Sequence, residues 1–195
     1  MGLPIDSVER YEPKSTTPGR FGAAMAHRDI MTRQLEMGWD RVLVLEDDVV
    51  LNRNRALHFM REILDDQPWD VMYLGCQANP LTARIIEEST YTFRLCGVTG
   101  GFAVAYTPKA CENVVPRVPE NGEIADGVHF DRLLSNLCME GGPLVARGPK
   151  NPVIAHTLIG KSDTSVMPRT QGLTKHHHNA WYMRMKRRWR IKQGV

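Results

Sequence analysis

Three adjacent carboxylates interrupt an apolar part of the chain. The stretch RVLVLEDDVVLN, residues 41–52, runs from apolar residues into Glu46, Asp47 and Asp48 and then becomes apolar again. Adjacent carboxylates repel one another, and holding them beside a hydrophobic core costs free energy. A divalent cation would offset that repulsion, because Mg²⁺ and Mn²⁺ prefer hard oxygen ligands such as carboxylates.

The alternation of side chains in an extended segment indicates which of these acids act together. It predicts that Glu46 and Asp48 face one side and Asp47 the other. Two carboxylates on one side suit a cation that also binds substrate phosphates. The sequence leaves open a simpler interpretation, in which the acids only cap the following turn or cover the surface.

Helical and strand patterns alternate around the acidic cluster. RFGAAMAHRDIMTRQLEMGW has apolar residues at helical spacing, and Gly38 predicts the end of that helix. RVLVLE is a short continuous apolar run, which predicts a strand covered on both faces. NRNRALHFMREILDDQ predicts a second helix, with Asn52 or Asn54 as its cap. WDVMYLG predicts a second buried strand that ends in Gly75.

The second half of the chain continues the alternation. A loop with Asn79 and Pro80 leads to TYTFRLCG and GGFAVAYT, which both predict strands. Pro108 predicts the first residue of the helix PKACENVV. ADGVHFDRLLSNLC predicts another helix with Asp126 at its start, and PLVARG and PVIAHTLI predict short strands. We therefore expect an α/β layered sheet, whose ligands bind beyond the carboxyl ends of its strands.

Length and composition are those of one globular domain. The chain has 195 residues, of which 42% are hydrophobic and 24% charged. No apolar run approaches the ~20 residues of a membrane span, and no apolar signal-peptide core is recognised. A cytoplasmic location is therefore expected. Cysteines 76, 96, 111 and 138 lack metal-ligand spacing and are expected to be reduced, packed thiols.

The positive charge is concentrated at the C-terminal end. The net charge is +3, and residues 184–195 contain no acid. Arginine and lysine there alternate with Trp and Met, which fits a membrane surface, nucleic acid or an anionic glycan. A disordered, solubilising end is the alternative.

The sequence patterns divide the chain into three parts. We expect an irregular lead-in over 1–18, a single domain over 19–170 and a basic tail over 171–195.

Several of these segments, taken in order, resemble the family 25 glycosyltransferases, which include bacterial lipopolysaccharide and lipooligosaccharide galactosyltransferases. GRFGAAMAHRDIMTRQLEMGWDRVLVLEDDVVL and WDVMYLG resemble the family's helix, its apolar strand into EDD and its D-Y-L-G strand. GGFAVAYTPKAC, ADGVHFDRLL and NPVIAHTLIGKSDTS are similar to its Pro-Lys-Ala run, its acidic helix start and its closing Ser-Asp segment. The resemblance extends in order over residues 19–165.

The resemblance implies a GT-A type fold, a Rossmann-like nucleotide-sugar domain with a mixed sheet flanked by helices. Glu46 and Asp48 would then correspond to the DxD motif that holds Mn²⁺ (or Mg²⁺) against a nucleotide diphosphate. His156 would complete the metal shell, although a simple hydrogen-bonding role is the alternative. The implied reaction transfers galactose or glucose from a UDP-sugar to a glycan or glycolipid acceptor, with inversion.

Other candidate residues follow from the same motifs. Inverting transfer needs a general base for the acceptor hydroxyl. Asp126 is the first candidate and Asp131 the second, with helix capping and a place on a helix face as their alternatives. His27 would orient a substrate phosphate or lie in the core. The candidate substrate-binding residues are His27, Asp47, Gly75, Ser162 and Asp163.

The sequence departs from the family at its beginning. Members start with an INL-type strand and a charged R-x-x-R segment, and this chain is expected to lack that strand. A second hypothesis is therefore a truncated, non-catalytic GT-A-like module that binds an anionic membrane or nucleic acid through its tail. For the enzyme, we expect peripheral contact with the inner membrane face through residues 184–192, and no nucleic-acid partner. A metal-dependent phosphoesterase is a third possibility, without a second carboxylate–histidine cluster to support it.

Overall fold

A computed structural model describes residues 9, 11, 19–46, 49–51, 62–76, 83–150 and 154–156. They form a mixed α/β fold around a six-stranded sheet. In chain order the elements are α1 (Gly19–Met37), β1 (Val42–Leu45), β2 (Val49–Leu51), β3 (Val71–Cys76), β4 (Arg84–Glu88), β5 (Thr92–Cys96), β6 (Gly101–Tyr106), α2 (Pro108–Val114), α3 (Phe130–Leu137), β7 (Ala146–Pro149) and β8 (Ile154–His156). Residues 62–65 are also helical.

Helix α1 covers one face of the sheet through a row of buried side chains. His27, Met31 and Gln34 recur at three- and four-residue spacing, and each is buried. Gly38 ends the helix with a φ of 65°, and the Trp39 amide donates to the carbonyl of Gln34 at 3.1 Å. A glycine in this conformation is a common helix end. The predicted helix and its stop are therefore confirmed.

Strand order places the carboxyl ends of four strands, β1, β3, β7 and β4, at one edge of the sheet. The order is β1-β6-β3-β7-β5-β4. β6 lies antiparallel between β1 and β3, and β3 pairs with β7 in parallel. Strands β1, β3 and β7 therefore run in the same direction, as does β4, and the carboxyl ends of β1 and β3 flank the amino end of β6. A separate antiparallel ribbon joins β2 to β8.

The sheet separates two hydrophobic clusters. The larger one lies on the side of the three helices and includes Met31, Tyr73, Tyr106, Phe130 and Leu134. The smaller one lies on the other face and consists of buried Ile63, Trp69, Met72, Leu74, Phe102, Ala103, Ala105 and Ile154. Side chains of β1 alternate between them: Val42 and Val44 pack on the larger cluster, and Leu43 packs on the smaller.

The two terminal strands of the described sheet, β1 and β4, differ from what the sequence predicted. β1 forms, but it is a terminal strand of the described sheet. Its first three side chains are half-buried and Leu45 is 42% exposed, so among the described residues β1 lacks the coverage on both faces that its apolar run predicted. β4 was not predicted, because three of the five residues of its sequence RIIEE are charged; in the structure only Ile85 of this strand is buried. Charged side chains are typical of strands at a sheet edge.

The helix predicted for ADGVHFDRLLSNLC begins later than expected. Asp126 and Gly127 both have positive φ, 62° and 64°, and lie in a short 3₁₀ turn. A left-handed pair cannot continue a right-handed helix, so α3 begins only at Phe130. β7 is likewise displaced from PLVARG to Ala146–Pro149. In contrast, Pro108 begins α2 as predicted, with Thr107 as its cap.

The four cysteines are free thiols, as expected.

In the part of the chain that the structure describes, no helix has both the length and the apolar character needed to cross a bilayer.

Gly75 is required by the packing at the carboxyl end of β3. A Cβ at this position would lie 2.2 Å from Cε2 of the Phe102 ring. We expect Gly75→Ala to lower the free energy of unfolding by about 1–3 kcal/mol, as overpacked cores do, in urea titrations. The penalty should shrink when Phe102→Leu is also present. An equal penalty in both backgrounds would show that the Phe102 contact is not its cause.

Candidate functional site

Glu46 extends from the carboxyl end of β1 toward the helix-covered face. Its amide donates to the carbonyl of Phe102 at 3.0 Å, which continues the ladder with β6 by one residue. Val42 and Val44 pack on the larger cluster, so strand alternation directs the Glu46 side chain to the same face. Glu46 is exposed. An accessible carboxylate therefore lies at the edge where ligands bind in open α/β sheets.

Asp131 reaches the same edge from helix α3. It lies in the first turn of the helix, and its Oδ1 accepts a hydrogen bond from the Gly101 amide at 3.4 Å. Burial raises the pKa of Asp131 above its ordinary value of 3.8, while the amides of Gly101 and Gly100 and the nearby His129 act in the opposite direction. The carboxyl of Asp131 is thus a stronger base than a solvated aspartate.

The charges of these carboxylates act on buried titratable groups of the helix-covered face. Burial raises the pKa of Cys76, at the end of β3, to about 12, with a further contribution from the charge of Asp131. The pKa of Tyr106 is raised well above its usual range, chiefly by burial and then by several charges that include Asp131 and Glu46. Burial also raises the pKa of Tyr73 well above its usual range, and the charge of Asp131 is among the lesser causes. The carboxylates of Glu46 and Asp131 therefore both act on the same buried group, the hydroxyl of Tyr106.

His27 lies in the core behind this edge. Its Nδ1 is 3.1 Å from the Tyr106 hydroxyl, and its ring stacks on Phe130 with centroids 4.4 Å apart. Burial lowers the pKa of His27 to about 4, so the imidazole is neutral at neutral pH. Of the two roles that the sequence left open for His27, the described contacts are those of a core residue.

Gly75 lies at the same end of β3, opposite Ala103 in the register. The space of its missing Cβ is filled by Phe102, a residue of the smaller cluster. Packing on that face therefore accounts for the glycine independently of any substrate.

Asp126 lies in a different setting from Asp131. The prediction that it starts a helix is wrong, because it occupies the exposed turn before α3 with a φ of 62°. Aspartate tolerates this conformation better than most residues. The structure therefore supplies a turn-forming reason for the aspartate at position 126.

Several predicted site residues lie outside the described residues. These are Asp47, Asp48, Ser162 and Asp163. The Cα of His156 lies opposite that of Val49 in the β2–β8 ribbon. The Val49 amide is 3.4 Å from the carbonyl of Glu46. The backbone of His156 is thus paired with the chain that directly follows the acidic cluster.

The oxygen ligands at this edge of the sheet suit a hard divalent cation. Glu46 supplies carboxylate oxygens, and Mg²⁺ and Mn²⁺ sites in phosphate-handling enzymes commonly use one or two carboxylates together with the substrate. Among the residues that the structure describes, no group of three or more His, Cys, Asp or Glu side chains could hold a metal ion. A cation here would therefore need the substrate or residues such as Asp48 as well as Glu46.

The sequence did not single out Tyr106 or Phe130 as neighbours of the site. Both are aromatic residues in apolar stretches, and core packing is the usual role of such residues. The only available signal was the position of Phe130 next to Asp131 and of Tyr106 within the family-like GGFAVAYTPKAC run.

The raised pKa of Asp131 predicts a pH-dependent effect on stability. A carboxyl whose pKa is higher in the folded state stabilises the protein below about pH 3.8, and that contribution is lost as pH rises through the folded-state pKa. Asp131→Asn should therefore raise the free energy of unfolding, relative to the parent, more at pH 7 than at pH 3.5. Urea titrations at the two pH values measure this difference.

Asp126→Asn is the matched control, because position 126 is exposed. Comparison with this variant separates the effect of burial at position 131 from the general effect of removing one negative charge. A pH-independent effect of Asp131→Asn would contradict the burial-driven shift.

Comparison with known proteins gives no assignment, since no protein-family model matches the chain and no curated protein matches it.

Proposed function

We propose that the protein is a metal-dependent glycosyltransferase of the GT-A type, related to family 25, that uses a UDP-hexose donor. One observation carries this proposal. Glu46, from the end of β1, and Asp131, from the first turn of α3, reach the same edge of the sheet on the same face. One carboxylate is exposed and the other partly buried, which are the environments that a metal ligand and a general base need.

The metal would be held by Glu46 and Asp48, with His156 as a further ligand. Mn²⁺ or Mg²⁺ bound there would neutralise the charge that develops on the departing nucleotide diphosphate. The pairing of the His156 backbone with Val49 supports this set, because it brings the β8 chain to the segment that follows the acids. Asp47, Gly75, Ser162 and Asp163 remain candidates for contact with the UDP-sugar.

Asp131 is the better candidate for the general base. Its raised pKa favours proton uptake from an acceptor hydroxyl, whereas Asp126 lies in an exposed turn. In the proposed step, the acceptor oxygen forms a bond to the anomeric carbon while the bond from that carbon to the diphosphate oxygen breaks. The hydroxyl proton passes to a carboxylate oxygen of Asp131. A single displacement of this kind inverts the anomeric configuration.

The acceptor is proposed to be a glycan or lipid-linked glycan at the inner face of a membrane. The support is the basic tail, residues 184–192, which lies outside the described residues and carries six positive charges without an acid. Each such charge near an anionic leaflet contributes roughly 1 kcal/mol of attraction. The same tail supports the rival hypothesis of a non-catalytic module that binds anionic surfaces.

Calorimetric titration of UDP, with and without Mn²⁺, tests the donor site. We expect binding that requires Mn²⁺ and that is lost in both Glu46→Gln and Asp48→Ala, because each variant removes a proposed metal ligand. Asp131→Asn should still bind UDP, because the base is not a metal ligand. UDP binding that needs no metal and survives both substitutions would remove the metal site.

Turnover separates the two candidate bases. With the donor site established, Asp131→Asn should reduce sugar transfer by about 10²- to 10⁴-fold, the usual contribution of a general base. Asp126→Asn tests the rival candidate and should retain most of the turnover. The opposite pattern would return the base to Asp126. Absence of UDP binding and of transfer in the parent chain would instead favour the non-catalytic module.

A further inference from the structure

Helix α3, which carries Asp131, starts without a local cap. His129 occupies the N-cap position and makes no side-chain hydrogen bond to the first turn. Unsatisfied amides at a helix start favour fraying unless tertiary contacts hold the first turn. The contact between Asp131 Oδ1 and the Gly101 amide is 3.4 Å, which is long for a hydrogen bond of this type. The amide of Gly100 also acts on this carboxyl, and these amides hold the Asp131 side chain itself, whereas the position of its helix turn needs further contacts.

The first turn of α3 is instead held by a stack of two rings. Phe130, the residue before Asp131, is buried. Its ring lies 4.4 Å from the imidazole of His27, with an angle of 19° between the planes. This stack links α1 directly to the helix start that carries the carboxylate.

The imidazole is in turn held by Tyr106. The hydroxyl lies 3.1 Å from Nδ1, and the two rings meet edge to face at 89°. Tyr106 is itself fixed, because the side-chain amide of Gln34 donates to its carbonyl at 3.2 Å. The orientation of the His27 ring therefore follows from a hydrogen bond to a residue of strand β6, which lies between β1 and β3.

A histidine is a costly residue for this position. Burial without strong pairing holds its pKa at about 4, and an apolar side chain would fill the same space without the cost of removing a polar ring from water. A flat ring with one hydrogen-bonding nitrogen, however, can stack on Phe130 and bond Tyr106 at once. Leucine or methionine could do neither.

We propose that His27 is a positioning residue, which fixes Asp131 at the sheet edge by stacking on Phe130 while Tyr106 orients its ring. The geometric part of this inference is independent of the reaction, and its consequence for turnover rests on the proposed function. His27 acts through Phe130 and does not itself contact a substrate.

Amide hydrogen exchange tests the geometric part without an activity assay. His27→Asn keeps a polar atom close to the place of Nδ1 but removes the ring, and should speed exchange in the first turn of α3 about tenfold or more. His27→Phe keeps a ring that can stack and should leave that exchange within about threefold of the parent. Phe130→Leu removes the stack from the other side and should resemble His27→Asn.

A general loss of stability would give a different pattern. Exchange in β3 (Val71–Cys76) should stay unchanged in these variants, because β3 reports global unfolding. Met31→Leu, at another buried position of α1, is the matched control and should leave α3 unaffected. Unchanged α3 exchange in both His27→Asn and Phe130→Leu would overturn the proposal. Equal acceleration in His27→Asn and His27→Phe would also overturn it, because a ring that can stack on Phe130 would then not hold the first turn of α3.

Kinetics test the consequence for the reaction. If Asp131 is the base, His27→Asn should lower kcat and leave the KM for the UDP-sugar within about twofold, and His27→Phe should recover most of kcat. An increase in KM without a change in kcat would contradict positioning of the base. The exchange result keeps the two proposals apart: local acceleration in a chain that transfers no sugar supports the positioning role and rejects the glycosyltransferase.

Discussion

The antiparallel insertion of β6 between two parallel strands is the constraint on which the site depends. β6 pairs with β1 on one side and β3 on the other. Its amino end therefore meets both carboxyl ends, so that the Gly101 amide faces Asp131 while the Phe102 carbonyl accepts from the amide of Glu46. One strand thus sets the placement of two carboxylates that are far apart in the sequence.

The edge formed in this way combines features that oppose folding. A carboxyl with a raised pKa, a buried neutral imidazole and a helix without a side-chain cap all cost stability. Strain and buried polar groups of this kind tend to concentrate at functional sites, where the rest of the fold compensates for them. Here the compensation comes from two hydrophobic clusters on opposite faces of the sheet, which enclose β3 and β6 almost completely.

The sequence was informative where local patterns decide the structure. The helical spacing of apolar residues predicted α1, and Gly38 predicted its end. Pro108 predicted the start of α2. The sequence failed where the outcome depends on a long-range contact or on one backbone angle. The charged strand β4 is stabilised by pairing with β5, which no local pattern reveals. The left-handed conformation of Asp126 and Gly127 delays the start of α3 to Phe130.

The same limit applies to the site. Glu46 could be found because three acids after an apolar strand are conspicuous in the sequence. Asp131 was the second candidate, because the predicted helix placed Asp126 at its start and Asp131 on a helix face. The observed start of α3 at Phe130 leaves Asp126 in an exposed turn and brings Asp131 to the sheet edge. The contact of Phe130 with His27 joins α3 to α1 across most of the described chain, so no spacing in the sequence could have indicated it.

The two carboxylates differ in how firmly the fold holds them. Glu46 continues a strand and is fixed by the ladder to Phe102, whereas Asp131 begins a helix whose position depends on ring contacts with α1. The fold therefore places Glu46 by pairing between strands, and places Asp131 by packing between helices together with the amides at the start of β6.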